Sequence, residues 1–290
     1  MNKPFFTGVC TALVTPFLGG KVNYPMMEML LRRQLEAGVK AVVIAGTTGE
    51  APTLSDEEKL ELFGRCKEYV GQSMLVIAGT GSNSTEHAVR LSMEAEKLGV
   101  DGLLVVSPYY NKATNEGLTA HYLMIAQAVK CPLIVYNVPS RTGVDIPVKV
   151  YRRLAAVPNI AGVKEATADI TKITKIRRCC GPAFGIWSGN DEMVTPMIAL
   201  GGNGVISVVS NVVPEETVYM TEAALDGDFD TAAALQIQLQ PLIEGLFSEV
   251  NPIPVKEAMN ILGYDCGGCR LPLTALSPEN REKLKTLLRK

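Results

Sequence analysis

The sequence predicts a (β/α)₈ (TIM) barrel with a C-terminal helical appendage, and three observations predict it. Short apolar runs rich in Val, Ile and Leu alternate with longer helical patterns through residues 1–227. The runs are near-continuously apolar, as parallel strands covered by helices must be. Eight such units fit into about 225 residues, which matches this barrel in number and size. On pattern alone, the alternative is a doubly wound open sheet.

The expected strands, in order, are Gly8–Thr15, Ala41–Ala45, Leu75–Ala78, Gly102–Val106, Leu133–Asn137, Ile160–Lys164, Phe184–Ser188 and Gly204–Val209. The first helix, Tyr24–Ala37, carries Met26, Leu30, Leu31 and Leu35 at helical spacing and stops at Gly38. Ser55 opens the second with Glu58 three residues on, a capping box, and Gly71 closes it after Val70. Ser84–Leu98, Gly117–Val129, Pro147–Ala155, Asp169–Arg178, Asp191–Leu200 and Pro214–Leu225 follow. Beyond Gly227 the strand signals stop. Asp228–Phe247, Pro254–Leu262 and Ser277–Leu288 read as helices, so residues 228–290 form a helical segment appended to a catalytic barrel of residues 1–227.

Composition narrows the function. With 28 Lys+Arg against 30 Asp+Glu the net charge is −2, which speaks against a basic nucleic-acid binder. A hydrophobic fraction of 47% and a charged fraction of 20% describe an ordinary globular protein. The longest uncharged run, Met193–Pro214, is broken by Pro196, Gly201-Gly202-Asn203-Gly204, Ser207, Ser210 and Asn211, so no membrane span is expected. The N-terminus lacks a signal-peptide pattern, and a cytoplasmic location is expected. Seven cysteines without framework spacing argue against a disulfide scaffold. The lone Cys266-Gly-Gly-Cys269 has no nearby histidine to complete a zinc site. With His87 and His121 as the only histidines, chemistry falls to Lys, Tyr, Thr, Asp or Glu.

In a barrel the chemistry gathers at the C-terminal ends of the strands. Those ends carry Gly46-Thr47-Thr48-Gly49-Glu50, Gly79-Thr80-Gly81-Ser82-Asn83, Ser107-Pro108-Tyr109-Tyr110-Asn111, Tyr136-Asn137-Val138-Pro139-Ser140-Arg141, Val163-Lys164-Glu165 and Ser188-Gly189-Asn190-Asp191. Lys164 ends an apolar strand, where desolvation would free a neutral amine able to condense with a carbonyl. An ion pair with Glu165 is the alternative for that residue taken alone. Tyr136 and Tyr110 offer phenols for acid–base work where histidine is scarce, or else pack and cap a hydrogen bond. Thr47-Thr48, flanked by glycines, let backbone and hydroxyls approach a small carboxylate, or form a plain turn. Arg141 presents a fork suited to a carboxylate, or is a solvated arginine.

Together, Gly46-Thr47-Thr48-Gly49-Glu50, Tyr136-Asn137-Val138-Pro139 and Gly162-Val163-Lys164-Glu165 resemble the pyruvate-dependent Schiff-base lyases and aldolases. Within them the chain is most similar to the dihydrodipicolinate synthase family. The likeness runs the length of the chain, through Ser107-Pro108-Tyr109-Tyr110-Asn111, Gly204-Val205-Ile206-Ser207 and Asn251-Pro252-Ile253-Pro254-Val255-Lys256. It implies that Lys164 forms an imine with pyruvate and that Tyr136 relays protons. It also implies that Thr48 and Tyr110 complete a hydrogen-bonded triad, Tyr110 coming from a neighbouring subunit. Thr47 and Thr48 would hold the pyruvate carboxylate, Arg141 the carboxylate of L-aspartate 4-semialdehyde, and Gly189 and Ile206 would line the site. The resemblance further implies a homotetramer arranged as a dimer of dimers, a place in diaminopimelate and lysine synthesis, and no metal or organic cofactor.

Sister aldolases acting on sialic acid or keto-deoxy sugar acids share the lysine and tyrosine. They usually lack the Ser140-Arg141-Thr142-Gly143 loop, so Arg141 favours the synthase. A non-catalytic keto-acid sensor would not need Lys164, Tyr136, Thr48 and Tyr110 together. Many relatives are inhibited by L-lysine at a subunit interface, where a glutamate holds the inhibitor's ammonium group. Here His87 takes that position and Lys59 a second one, beside Asn83 and Tyr109, so weak or absent inhibition is expected.

Overall fold

Strands that are apolar on both faces need cover on both, and here they find it by closing on themselves. The computed structural model describes residues 4–289. In chain order the elements are β1 (Gly8–Ala12), β2 (Phe17–Leu18), β3 (Lys21–Val22), α1 (Tyr24–Glu36), β4 (Ala41–Ile44), α2 (Asp56–Val70), β5 (Leu75–Gly79), α3 (Thr85–Lys97), β6 (Gly102–Val106) and α4 (Asn115–Ala128). There follow β7 (Leu133–Asn137), α5 (Pro139–Thr142), α6 (Val148–Leu154), β8 (Ile160–Glu165), α7 (Ile170–Cys180), β9 (Gly185–Ser188), α8 (Val194–Ala199), β10 (Gly204–Ser207) and α9 (Pro214–Leu225). The chain ends with α10 (Phe229–Leu246), α11 (Ile253–Ile261) and α12 (Pro278–Leu288).

Eight parallel strands close in the order β1-β10-β9-β8-β7-β6-β5-β4. The first strand pairs on both sides, Gly8 with Gly204 and Cys10 with Ala41, so the open-sheet alternative is ruled out. Strand alternation separates two cores. Cys10, Val43, Ile77, Leu104, Ile134, Tyr136, Trp187 and Ile206 point inward, while a larger cluster packs between barrel and helices. Trp187 fills much of the interior and stacks on Phe6, with ring centroids 4.7 Å apart. That indole requires Gly185, two residues before it on the same strand, to lack a Cβ, which would lie 2.2 Å from the ring.

The strand centres stand where the apolar runs predict, and the ends differ for local reasons. The first strand stops at Ala12 rather than Thr15, because the Val14 N–H turns out to donate to Asn211 Oδ1. The last ends at Ser207 rather than Val209, because the N–H groups of Val208 and Val209 both donate to Asp191 Oδ2. The β2–β3 hairpin and the one-turn helix α5 are too short to leave a periodic signal, and α5 takes up most of the expected Ser140-Arg141-Thr142-Gly143 loop. The predicted capping box of α2 is present: Glu58 N–H donates to Ser55 Oγ, and Ser55 N–H to the Glu58 carboxylate. After the barrel, α10 packs on α9, and α12 on α10 and α11. No helix among the described residues is long and apolar enough to cross a membrane.

Candidate active site

Lys164 and Tyr136 are register partners on β8 and β7, and both side chains turn inward at the C-terminal end of the barrel. Lys164 is 4% exposed, and its Nζ lies 4.4 Å from the centroid of the Tyr136 ring. A ring face attracts a cation, offsetting part of the cost of burying it. Among the described residues, neither the Lys164 amine nor the Tyr136 hydroxyl has a hydrogen-bond partner, so both stand free for a ligand. Burial pushes the nearby Cys10 thiol far above its ordinary range, with Lys164 pulling the other way, so this cysteine is inert.

Glu165 does not pair with Lys164. The alternation of the strand sends it to the opposite face. There it accepts from Asn137 Nδ2 at 2.7 Å and Tyr151 OH at 2.9 Å, with Lys172 Nζ at 3.2 Å. Burial raises its pKa and these partners offset only part of that rise. The ion-pair alternative for Lys164 is thereby corrected, and the amine is left unneutralised by its sequence neighbour.

Between β4 and α2 the chain bends sharply, with Ala45 at φ 51° and Glu50 at φ 58° on either side of the Gly46–Gly49 turn. Left-handed φ is costly for residues with a Cβ. The bend also presses against the next strand end, where a Cβ on Gly79 would come within 2.1 Å of the Ala45 carbonyl. The turn is held from far along the chain. Lys256 on α11 pairs with Glu50 at 2.7 Å, both side chains buried, and Arg270 N–H donates to Glu50 Oε2 at 2.8 Å. Lys256 also donates to the Gly268 carbonyl and sits 4.0 Å from the Phe17 ring centroid. Thr48 is buried and its Oγ1 accepts from Asn251 Nδ2 at 3.1 Å.

A cavity of about 560 Å³ opens at this end of the barrel, lined by Thr47, Tyr136 and Arg141 among others. Arg141, on α5, donates to the Asn251 carbonyl at 3.2 Å. Ile206 is buried inward from β10, and Gly189 follows β9 with its N–H given to the Glu165 carbonyl at 2.8 Å. Tyr110 stands apart: it is 91% exposed at φ 73° and touches none of the others within the chain. Beside β9, Asp191 is fully buried. Burial raises its pKa, with Ser207, the Val208 and Val209 N–H groups and Lys164 pulling it down.

The same cavity extends to Asp56, Lys59, Ser82, His87 and Tyr109. His87 Nε2 meets Asp56 at 2.8 Å, Arg90 meets it at 3.1 Å and Lys59 at 3.8 Å. Asp56 was missed in the sequence, as were Asn251, Lys256 and Glu50 as a network. Each earns its place through a partner distant in sequence, and only the quoted motifs around Glu50 and Asn251 could have flagged them. Cys266 is buried and Cys269 half-buried, both free, their thiols pushed up to about 12 chiefly by burial. Among the described residues no cluster of three His, Cys, Asp or Glu is placed to hold a metal ion.

A sequence model of the dihydrodipicolinate synthetase family matches residues 5–290. A 4-hydroxy-tetrahydrodipicolinate synthase of Acetivibrio thermocellus is 46% identical over 289 residues, covering 100% of this chain and 98% of its own. One of Kosmotoga olearia is 46% identical over 283 residues, covering 97% of this chain and 96% of its own. Among solved structures, dihydrodipicolinate synthase from Aquifex aeolicus superimposes with a TM-score of 0.97 at 44% identity, over 98% of this chain and 97% of that one.

Proposed function

The chain belongs to the dihydrodipicolinate synthetase family, and on that premise we propose that it acts as a 4-hydroxy-tetrahydrodipicolinate synthase, condensing pyruvate with L-aspartate 4-semialdehyde in diaminopimelate and lysine synthesis. The observation that carries the reading is the unpaired Lys164 amine at the mouth of an apolar barrel, 4.4 Å from the Tyr136 ring centroid. Lys164 Nζ adds to the pyruvate ketone, and water leaves as the imine forms. The imine withdraws electrons from the methyl group, which loses a proton to give the enamine. The enamine carbon attacks the aldehyde of the second substrate, forming the carbon–carbon bond, and the aldehyde oxygen takes up a proton. The substrate amine then displaces Lys164 from the former ketone carbon as the ring closes, returning the free lysine.

Tyr136 is the proton relay in this reading. Thr47 and Thr48 hold the pyruvate carboxylate, Arg141 holds that of the second substrate, and Gly189 and Ile206 line the site. Tyr110 would reach Thr48 and Tyr136 of a neighbouring copy, which its exposure supports. The protein would accordingly be a homotetramer, a dimer of dimers, working in the cytoplasm, with residues 228–290 as a helical segment serving the barrel of residues 1–227.

Borohydride reduction in the presence of pyruvate tests the chemistry. One N-carboxyethyl group per chain, mapped to Lys164, is expected. Label on another lysine, or none, would remove the imine from the mechanism.

A further inference from the structure

Asn251 stands between the two halves of the site. Its Nδ2 donates to Thr48 Oγ1 at 3.1 Å and its main-chain oxygen accepts from Arg141 Nη2 at 3.2 Å. The residue is 5% exposed, yet its Oδ1 is buried without a partner among the described residues. A side chain kept for packing alone would not normally leave a buried carbonyl unpaired. The start of α11, just beyond it, is anchored through Lys256 to Glu50, so one segment grips the Thr48–Glu50 stretch at both ends.

A threonine hydroxyl has one proton to donate and two lone pairs. At Thr48 one lone pair is taken by the Asn251 amide, so the hydroxyl proton cannot be given back to Asn251. We propose that Asn251 is a positioning residue for the reaction: by donating to Thr48 Oγ1 it directs the Thr48 O–H toward the pyruvate end of the site, while its carbonyl holds the Arg141 fork at the other end. The inference rests on the reading above that Thr48 serves pyruvate and its proton relay.

The chemistry gives an unusual order of effects. An aspartate at 251 keeps the shape of asparagine but, when ionised, only accepts hydrogen bonds. It would draw the Thr48 proton toward itself and reverse the relay. Alanine merely removes the donor and leaves the hydroxyl free to turn. If Asn251 matters for shape alone, the isosteric variant must be the milder one. If it matters as a donor, Asn251→Asp must be the more severe.

The experiment measures kcat, both KM values and the melting temperature of Asn251→Asp and Asn251→Ala, with borohydride trapping of pyruvate run on each and on the unaltered protein. The expected kcat losses are about 100-fold for Asn251→Asp and about 10-fold for Asn251→Ala. The melting temperatures should stay within a few degrees of the parent, and Asn251→Asp should regain rate as the pH falls and its carboxyl becomes a donor. A larger loss in Asn251→Ala than in Asn251→Asp, or no loss in either, overturns the inference. Should Asn251→Asp fail to fold, Asn251→Leu fills the volume without a donor, and an unchanged kcat there overturns it equally. Trapping in the unaltered protein separates the two levels: its failure at Lys164 sinks the synthase reading, whereas its success beside an indifferent Asn251 series sinks only this inference.

Discussion

Lys164 and Tyr136 face one another across adjacent strands of the barrel, with the amine 4.4 Å from the ring centroid and Glu165 turned to the opposite side. The amine therefore meets a phenol ring instead of a carboxylate, and the ring's face and its hydroxyl can be tested apart. Tyr136→Phe keeps the face and loses only the hydroxyl. Pyruvate should still be trapped on Lys164 by borohydride, while kcat falls by about 10²–10⁴, the usual weight of an acid–base group. A variant with parental kcat would take Tyr136 out of the proton relay.

Arg141 is exposed on a one-turn helix and is tied to the barrel through the Asn251 carbonyl. Arg141→Ala should leave trapping of pyruvate intact and lower kcat/KM for aspartate semialdehyde by roughly 10²-fold, the scale of a lost charge-assisted pair. Steady-state kinetics with each substrate varied in turn decides it. Undiminished turnover would reopen the sister-aldolase reading.

The buried pair Lys256–Glu50 predicts a stability effect separable from chemistry. Lys256→Met leaves Glu50 buried without its cationic partner, holding the Arg270 N–H and the Cys269 thiol, and breaking such a pair costs about 3–5 kcal/mol. The urea midpoint should drop accordingly. The double variant Lys256→Met, Glu50→Gln should recover part of the loss, because no uncompensated charge remains. A double variant as unstable as Lys256→Met alone would contradict this.

L-Lysine should inhibit weakly or not at all. The carboxylate that could attract its ammonium group, Asp56, is already engaged by His87, Arg90 and Lys59. Partial burial raises the Asp56 pKa, but the hydrogen bonds from His87 and Arg90 prevail and hold it below the ordinary value, so it is ionised and spoken for. A rate assay at saturating pyruvate with excess L-lysine checks this, and strong inhibition would defeat the charge reasoning.

His121 predicts an acid limb in stability. Burial pushes its imidazole down to about 4, while Nδ1 meets Thr85 Oγ1 at 2.9 Å and Nε2 is buried without a partner among the described residues. Because the unfolded chain takes up this proton first, stability should decline as pH falls from about 6.5 to about 4, with the loss complete below that. Urea midpoints measured across the window should slope less in His121→Gln. An equal slope in both proteins would assign the acid limb to other groups.

The barrel was legible because burial on two faces imposes a continuous apolar run that few other elements need, as at Ala41–Ile44 and Leu133–Asn137. The position of Lys164 was legible for a related reason, since a charge ending such a run stands out. What remained hidden depends on distance along the chain. Thr48 meets Asn251 and Glu50 meets Lys256 across more than 200 residues, and no local pattern marks such pairs. Asp191 does open the helical stretch expected of it, as the turn Asp191–Met193 that leads into α8; what stayed hidden is that its Oδ2 accepts from the N–H groups of Val208 and Val209, which is also why the last strand ends early.

Trp187 is the chain's single tryptophan, and it lies inside the barrel as the register partner of Lys164. Indole emission from this protein thus comes from one place, one strand away from the amine, with its ring stacked on Phe6 and shut off from solvent. The molecule carries an intrinsic optical gauge of its own interior. Whether an event at Lys164 reaches that indole can be read directly from its emission, without a label and without background from a second indole.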